Sequence, residues 1–195
     1  AAPVEFMDNV GMPLLDGFLL VHNTLVAAGI RDKIKIGVSG KLISAFDIAR
    51  MLALGADWCN SARGFMFAVG CIQSRACHTN KCPTGVATQD PYRQKALIVP
   101  DKAERVANFH KNTLKALASI VGAVGLTHPK DLQAYHIARR LENGQIKLLS
   151  KFYYFADAGA LLTLSARSDV YNQMWVMANP DSFLADNEAL IAYNK

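Results

Sequence analysis

Apolar residues recur at helical spacing over residues 12–29, where Leu14, Phe18, Val21 and Leu25 share a face; Pro13 suits the first turn and Gly29 a stop. Residues 33–38 then alternate before turning apolar through Ile36, Gly37 and Val38, which predicts a strand entering a buried sheet. Ser39-Gly40-Lys41 makes a turn. Ser44 followed by Asp47 reads as a capping box, and Ile48, Met51 and Leu52 give the ensuing helix one apolar face up to Gly55. A short strand at 57–60 leads through Ser61-Ala62-Arg63-Gly64 into a helix start at Phe65 to Ala68. Helix, strand, helix, strand and helix start in that order predict a parallel α/β architecture. Farther on, Asp101 with Glu104 predicts a boxed helix running to about Val124, carried by Val106, Phe109, Leu114, Leu117 and Val121 and broken by Gly125 and His128-Pro129. A further helix over 130–142 is expected to stop at Asn143-Gly144. Weaker signals follow: an aromatic run at 152–155, a turn at 157–159 and a helix from Pro180 to Tyr193. No internal repeat interrupts this order.

Composition narrows the class. A chain of 195 residues with 51% hydrophobic and 19% charged residues can bury a sizeable core. No apolar run approaches eighteen residues, so no membrane span is expected. The opening residues carry two acids and no basic cluster, unlike a signal peptide, and the lack of an initiator Met suggests a cut or processed chain; the expected location is cytoplasmic. The net charge of +5 is dispersed, with only short basic groups at Arg139-Arg140 and at lysines 33, 35 and 41. A nucleic-acid footprint needs a denser basic face, so no nucleic-acid partner is expected.

Candidate chemistry concentrates in Cys71, Cys77 and Cys82, spaced C-x5-C-x4-C and followed by Pro83, with Cys59 the remaining cysteine. Thiolates this close on a polar, loop-like segment can converge on a soft metal centre. Three ligands without an obvious fourth suit a three-iron cluster, or a four-iron cluster completed by another residue, and the cysteine-proline ending matches ferredoxin-type runs. Zinc, with His78 as fourth ligand, is the rival, although structural zinc sites usually pair cysteines two to four residues apart. Three unliganded thiols are the plainest alternative. Four clustered cysteines make a poor disulfide framework.

The two strand-to-helix turns, around Gly40 and around Arg63, point to an anion. Small residues let backbone approach a ligand, and the positive end of the following helix favours negative charge. Two such turns in succession suit a phosphate-bearing cofactor, as at the closing strands of parallel barrels. An ordinary tight turn has the same composition, so each alone says little.

The stretch from Ile36 through Thr88 resembles the FMN-binding, cluster-bearing domain of the glutamate synthase family, most of all its shorter members, whose phosphate loop also reads Ser-Gly-Lys. Ala1-Ala2-Pro3 is similar to the tail of that family's Gly-Thr-Gly-Ala-x-Pro loop, and the helices through Arg140 follow its pattern. The resemblance implies a C-terminal fragment of a (β/α)8 TIM barrel: about the last two β/α units and the cysteine loop in residues 1–125, then a mostly helical extension over 126–195. It implies FMN held by Ser39, Gly40 and Lys41 in one phosphate loop and by Ala62, Arg63 and Gly64 in a second. It also implies a 3Fe–4S cluster on Cys71, Cys77 and Cys82. The activity implied for the parent protein is reduction of 2-iminoglutarate, formed from 2-oxoglutarate and ammonia, to L-glutamate, with electrons from a ferredoxin or a reductase. The full-length enzyme's Asp-Gly-Gly-Leu-Arg is replaced here by Ser39-Gly40-Lys41-Leu42-Ile43, exchanging an arginine for a lysine that cannot make the same bidentate contact. Two strands cut from a barrel leave unpaired edges, so the fragment is expected to be inactive alone and to self-associate, or to cover the edge with its C-terminal helices.

Other residues read more simply. Cys59 is expected to be a buried small hydrophobe, Trp58 and Trp175 core residues, and Asp90-Pro91 a turn. His22, His110, His128 and His136 show no partner pattern, and no Ser/His/Asp or paired-carboxylate arrangement stands out. The alternatives to the oxidoreductase are a zinc-stabilised module binding nucleic acid or protein, and a non-catalytic barrel remnant that keeps the cluster as a staple.

Overall fold

The computed structural model describes residues 3–163 and 174–193. They fall into two compact units, residues 1–22 with 35–155, and residues 23–34 with 156–195. The resemblance noted at Ala1-Ala2 lies outside the described residues.

The larger unit opens on a one-and-a-half-turn helix, α1 (Val4–Asn9), which the sequence reading did not anticipate, and on the first part of α2 (Leu14–Ala27). The two expected strands are present but short: β1 (Gly37–Ser39) and β2 (Trp58–Asn60) pair in parallel with Val38 opposite Cys59 and Ser39 opposite Asn60. Between them lies α3 (Ala45–Ala53), so the strand–helix–strand crossover is as the hydrophobic pattern predicts. Asp57 locks the entry to the pair. Its amide donates to the Ile36 carbonyl (2.9 Å), its carboxylate accepts from the Ile36 amide (2.7 Å), and Lys35 Nζ lies 3.3 Å away. Gly37 has a definite reason to be glycine, because the Trp58 indole occupies the space that a β-carbon there would fill.

After β2 come α4 (Ala62–Val69), the cysteine loop, the one-turn helix α5 (Pro91–Gln94) and the long α6 (Val99–Ala123). Helix α6 begins ahead of the expected Asp101 box: Ile98 is the N-cap without a side-chain cap, Pro100 sits in the first turn, and Asp101 pairs instead with Lys102 at 3.1 Å. The core of this unit gathers Phe18 and Leu19 of α2, Val38, Leu42, Ala49, Met51, Ala53 and Leu54, Val121 of α6, and Leu132, Ile137 and Leu149. Burying aliphatic side chains of this kind stabilises by roughly 1.5–3 kcal/mol each.

Residues 130–142 are not the expected helix. Short 3-10 turns at Pro129–Asp131 and Ala134–His136 precede an antiparallel hairpin, β3 (Ala138–Arg140) with β4 (Ile146–Leu148). Asn143-Gly144 is the hairpin's turn rather than a helix stop: the Leu141 amide reaches the Gln145 carbonyl at 2.8 Å and Gly144 is left-handed. Buried Leu132, Ala134 and Ile137 are anchored by chain direction changes, not by a helical stripe. The unit closes on α7 (Leu149–Phe152).

In the smaller unit, the Ala156 amide donates to Asn23 Oδ1 (3.0 Å) and the Gly159 amide to the Val26 carbonyl (3.1 Å), and Ala27 and Leu161 are buried. Its last helix, Asn187–Tyr193, starts later than Pro180, because a bridge between Asn179 and Ser182 turns the chain first.

Candidate functional site

Parallel pairing in register brings the loops that leave β1 and β2 out at one end of the ribbon. Ser39, Gly40, Lys41 and Ala62 are exposed there, Arg63 is half-buried and Gly64 buried. Lys41 holds a left-handed backbone. The loops are tied together by Ser61, whose hydroxyl donates to the Leu42 carbonyl at 2.7 Å.

The two helix starts are not alike. At α3 the capping box is complete: Ser44 Oγ accepts from the Asp47 amide (3.2 Å), while the Asp47 carboxylate accepts from the amides of Ser44 (2.9 Å) and Ile43 (3.2 Å) and from the Ser44 hydroxyl (2.8 Å). Burial alone would raise the Asp47 pKa, but these donors and the nearby Arg50 outweigh it and hold the carboxylate below its ordinary range. At α4, in contrast, Ser61 makes no cap because its hydroxyl is spent on Leu42, and no acid lies in the first turn. Ala62, Arg63 and Gly64 therefore form a helix start that, among the described residues, has no side-chain cap and carries a guanidinium of its own. That is an anion-favouring arrangement. Gly64 is also required by packing, since a β-carbon there would meet the Phe109 ring and the Ser61 hydroxyl, both at 2.8 Å. Phe65 and Phe109 stack edge-to-face at 5.2 Å to fix α4 on α6.

Helix α4 ends in a left-handed Gly70, with the Cys71 amide returning to the Met66 carbonyl at 3.0 Å. Cys71 is thus the first residue off a fixed helix end. Cys77 begins a 3-10 turn, Cys77–Thr79, and is half-buried; Cys82 is buried. The Cys71 sulfur accepts from the Gln73 amide (3.5 Å). Burial raises the Cys82 pKa, but hydrogen bonds from Thr84 and from the amides of Ala87, Thr84 and Val86 prevail and bring it down to about 7. Cys59 is the opposite case, its thiol pushed up to about 11 by burial alone, as expected of a small hydrophobe in a strand.

A polar network that the sequence reading did not single out shapes this loop. Buried Thr88 donates from Oγ1 to the Asn80 carbonyl (2.7 Å), and its own carbonyl accepts from Gln94 Nε2 (2.8 Å). Asn80, left-handed, accepts at Oδ1 from the Gln89 amide (2.6 Å). Asp90 caps α5 through the Tyr92 amide (2.9 Å). The signal available was an asparagine in a turn eight residues before a threonine that is followed by Gln and Asp.

The structure thus puts the three cysteines on one continuous loop, with amide donors at two of the sulfurs. It does not gather them at a point: among the described residues no three His, Cys, Asp or Glu side chains stand together as a metal-holding group. The donor set nevertheless fits an iron–sulfur centre chemically, because it offers three soft sulfurs on one loop, with a backbone amide donating to Cys71 and several donors gathered at Cys82. His78, the candidate fourth zinc ligand, is exposed. His110 and His128 line, with Trp58, Phe65 and Phe109, a cavity of about 280 Å³ beside β2. No helix of the described residues is long and apolar enough to cross a membrane.

Residues 1–127 match the family model described as a conserved region in glutamate synthase. Among curated proteins, the chain is 44% identical over 142 residues to the glutamate synthase large subunit-like protein YerD of Bacillus subtilis, covering 73% of this chain and 27% of that protein. It is 32% identical over 152 residues to the archaeal glutamate synthase [NADPH] of Archaeoglobus fulgidus, covering 76% of this chain and 30% of that one. With the chloroplastic/mitochondrial ferredoxin-dependent glutamate synthase 1 of Arabidopsis thaliana it shares 33% over 142 residues, 68% of this chain and 9% of that protein. The chain therefore spans less than a third of the length of these relatives. The matched stretch contains both strand-to-helix turns and all four cysteines, and on that ground the chain belongs to the glutamate synthase family.

Proposed function

We propose that this chain is the cofactor-holding end of a (β/α)8 barrel in a glutamate synthase-type oxidoreductase, whose intact form reduces 2-iminoglutarate to L-glutamate in the cytoplasm. The observation that carries the reading is the uncapped start of α4, next to the turn after β1 and running directly into the cysteine loop. Ser39, Gly40 and Lys41 on one side, and the amides of Ala62, Arg63 and Gly64 with the Arg63 guanidinium on the other, would hold the FMN phosphate. Cys71, Cys77 and Cys82 would hold a 3Fe–4S cluster, with the amides around Cys82 and the Gln73 amide spreading the negative charge of sulfur. FMN supplies hydride transfer and the cluster one-electron delivery. The chain's own work is to fix a phosphate at a helix start, to present the cysteine sulfurs among hydrogen-bond donors, and through the α4–α6 packing to keep those two sites at a constant separation. Relatives named for NADPH and for ferredoxin support an electron donor for the intact protein, and the unpaired outer edges of β1 and β2 among the described residues suit a chain that continues the sheet.

The intact protein, purified without oxygen, is expected to contain stoichiometric flavin and about three irons. Arg63→Ala should lower flavin content with iron unchanged, and Cys82→Ser should lower iron. Flavin content indifferent to Arg63→Ala, or stoichiometric zinc in place of iron, would refute the assignment.

A further inference from the structure

The three sulfurs of the cysteine loop are served unequally. Cys71 accepts one backbone amide, that of Gln73 at 3.5 Å, and among the described residues no hydrogen bond reaches the Cys77 sulfur. Cys82, 5% exposed, collects four donors: the amides of Thr84, Val86 and Ala87, and the Thr84 hydroxyl, whose oxygen lies 3.5 Å from the sulfur. Three of these donors are main chain, and other residues in the same turn would supply them equally. The fourth depends on a side chain, and among the described residues Thr84 is the one side chain that can donate to a cysteine sulfur. Either end of a thiol–hydroxyl pair can donate; a sulfur bound to metal has given up its proton, so there the hydroxyl is the donor.

Local sequence builds the turn that aims this hydroxyl. Cys82, Pro83, Thr84 and Gly85 make a tight turn closed by the Gly85 amide on the Cys82 carbonyl (3.4 Å). Proline suits the second position of such a turn, and because it has no N–H the Thr84 amide is the first that can turn back to the sulfur. Gly85 is left-handed, and a β-carbon there would fall 2.5 Å from the Arg93 carbonyl oxygen, so the turn is seated against α5. Gln94 of the same helix holds the Thr88 carbonyl at 2.8 Å and closes the segment from its far end. Thr84 itself is half-buried. A contact between residues two apart, inside a turn clamped in this way, belongs to the loop itself, whatever the rest of a longer protein packs over it.

We infer that Thr84 is a positioning residue that acts through Cys82, its hydroxyl helping to set the one-electron potential of the iron–sulfur centre. The inference rests on the cluster reading above and extends it from the sulfur ligands to the group that tunes them. Reduction adds one electron, and part of the added negative charge falls on the cysteine sulfurs. A donor aimed at a sulfur stabilises that reduced form and raises the potential, whereas burial without donors lowers it. Both effects meet at Cys82, where the sulfur is withdrawn from water and given fixed dipoles in its place. Taking away the hydroxyl while keeping the shape of the side chain leaves the burial and removes one dipole, so the electron becomes harder to place.

The test is a potentiometric titration of the intact holoprotein at fixed pH, with dithionite as reductant and the electron paramagnetic resonance of the cluster as readout. Thr84→Val should disfavour reduction about tenfold, a fall of about 59 mV for a one-electron couple, with iron and flavin content unchanged. Thr84→Ser keeps the hydroxyl and should hold the potential of the unmodified protein. Electron–nuclear double resonance before and after exchange into D2O should show an exchangeable proton coupled to the cluster in the unmodified protein and in Thr84→Ser, and its loss in Thr84→Val. A potential unmoved by Thr84→Val, or lowered as much by Thr84→Ser, overturns the inference. So does loss of iron from both Thr84→Val and Thr84→Ala, which would make the residue a support of the loop; where Thr84→Val alone loses iron, the potential of Thr84→Ala decides in its place. An intact protein with flavin and iron whose potential ignores the hydroxyl defeats this inference alone. One that holds zinc, or no metal, defeats the cluster reading and this inference with it.

Discussion

Asp47 shows how much one side chain can settle. Its carboxylate takes two backbone amides and the Ser44 hydroxyl at the start of α3, so that helix end is internally satisfied. The same accounting at Ser61 comes out the other way, because its hydroxyl turns to Leu42 and leaves α4 without a cap. Two serines in similar strand-to-helix positions thus divide the labour, one building structure and one leaving a charge-hungry helix start. Asp47→Ala should destabilise the protein by about 1 kcal/mol at pH 7, the usual worth of a cap. A carboxylate whose pKa is lowered by folding stabilises above its unfolded pKa, and that contribution vanishes as pH falls through the folded value. The melting-temperature gap between wild type and Asp47→Ala should accordingly be full at pH 6–7 and close progressively below about pH 4, near the reference carboxylate pKa. A gap that persists undiminished at pH 2 would show that the charge, not the box, is irrelevant to the difference.

At the scale of elements, the amphipathic helices and the strand order were legible because their signals are local. The Leu14–Leu25 stripe, the Ser44/Asp47 box and the β-type run before Ser39 each sit within a few residues of what they specify. The hairpin was not legible in the same way. Asn143-Gly144 can end a helix or turn a hairpin, and only the partner strand at Ile146–Leu148 decides between them. The cysteine loop falls between these cases: its residues were visible from spacing, whereas its scaffold depends on Thr88 bonding to Asn80 eight residues back. Thr88→Val keeps the shape and removes the hydroxyl, leaving the Asn80 groups short of a partner at a cost of roughly 1–3 kcal/mol. We expect hydrogen exchange to speed up over residues 77–90 by tenfold or more while α3 and α6 stay protected; uniform acceleration across the chain would mean that the loop is not a separate unit of stability.

At the scale of the whole molecule, the dominant fact is a two-stranded parallel ribbon with an open edge on each side among the described residues, next to side chains such as Trp58 and Phe46 that are about half exposed. Parallel sheets ordinarily bury both faces, and unpaired edges invite pairing with another chain. Residues 1–195 produced alone should therefore self-associate in sedimentation experiments over the micromolar range, without becoming catalytically active. A clean monomer throughout that range would mean that the edges are better protected than their exposure suggests.

The indole that lies across Gly37 offers one more use. The chain has two tryptophans, and Trp58 straddles the seam where the strands meet. Its fluorescence should be a native optical gauge of that seam: with Trp175 replaced by Phe, any event that unzips the ribbon or supplies it with a neighbouring strand would register as a change in colour and quenching, without a label.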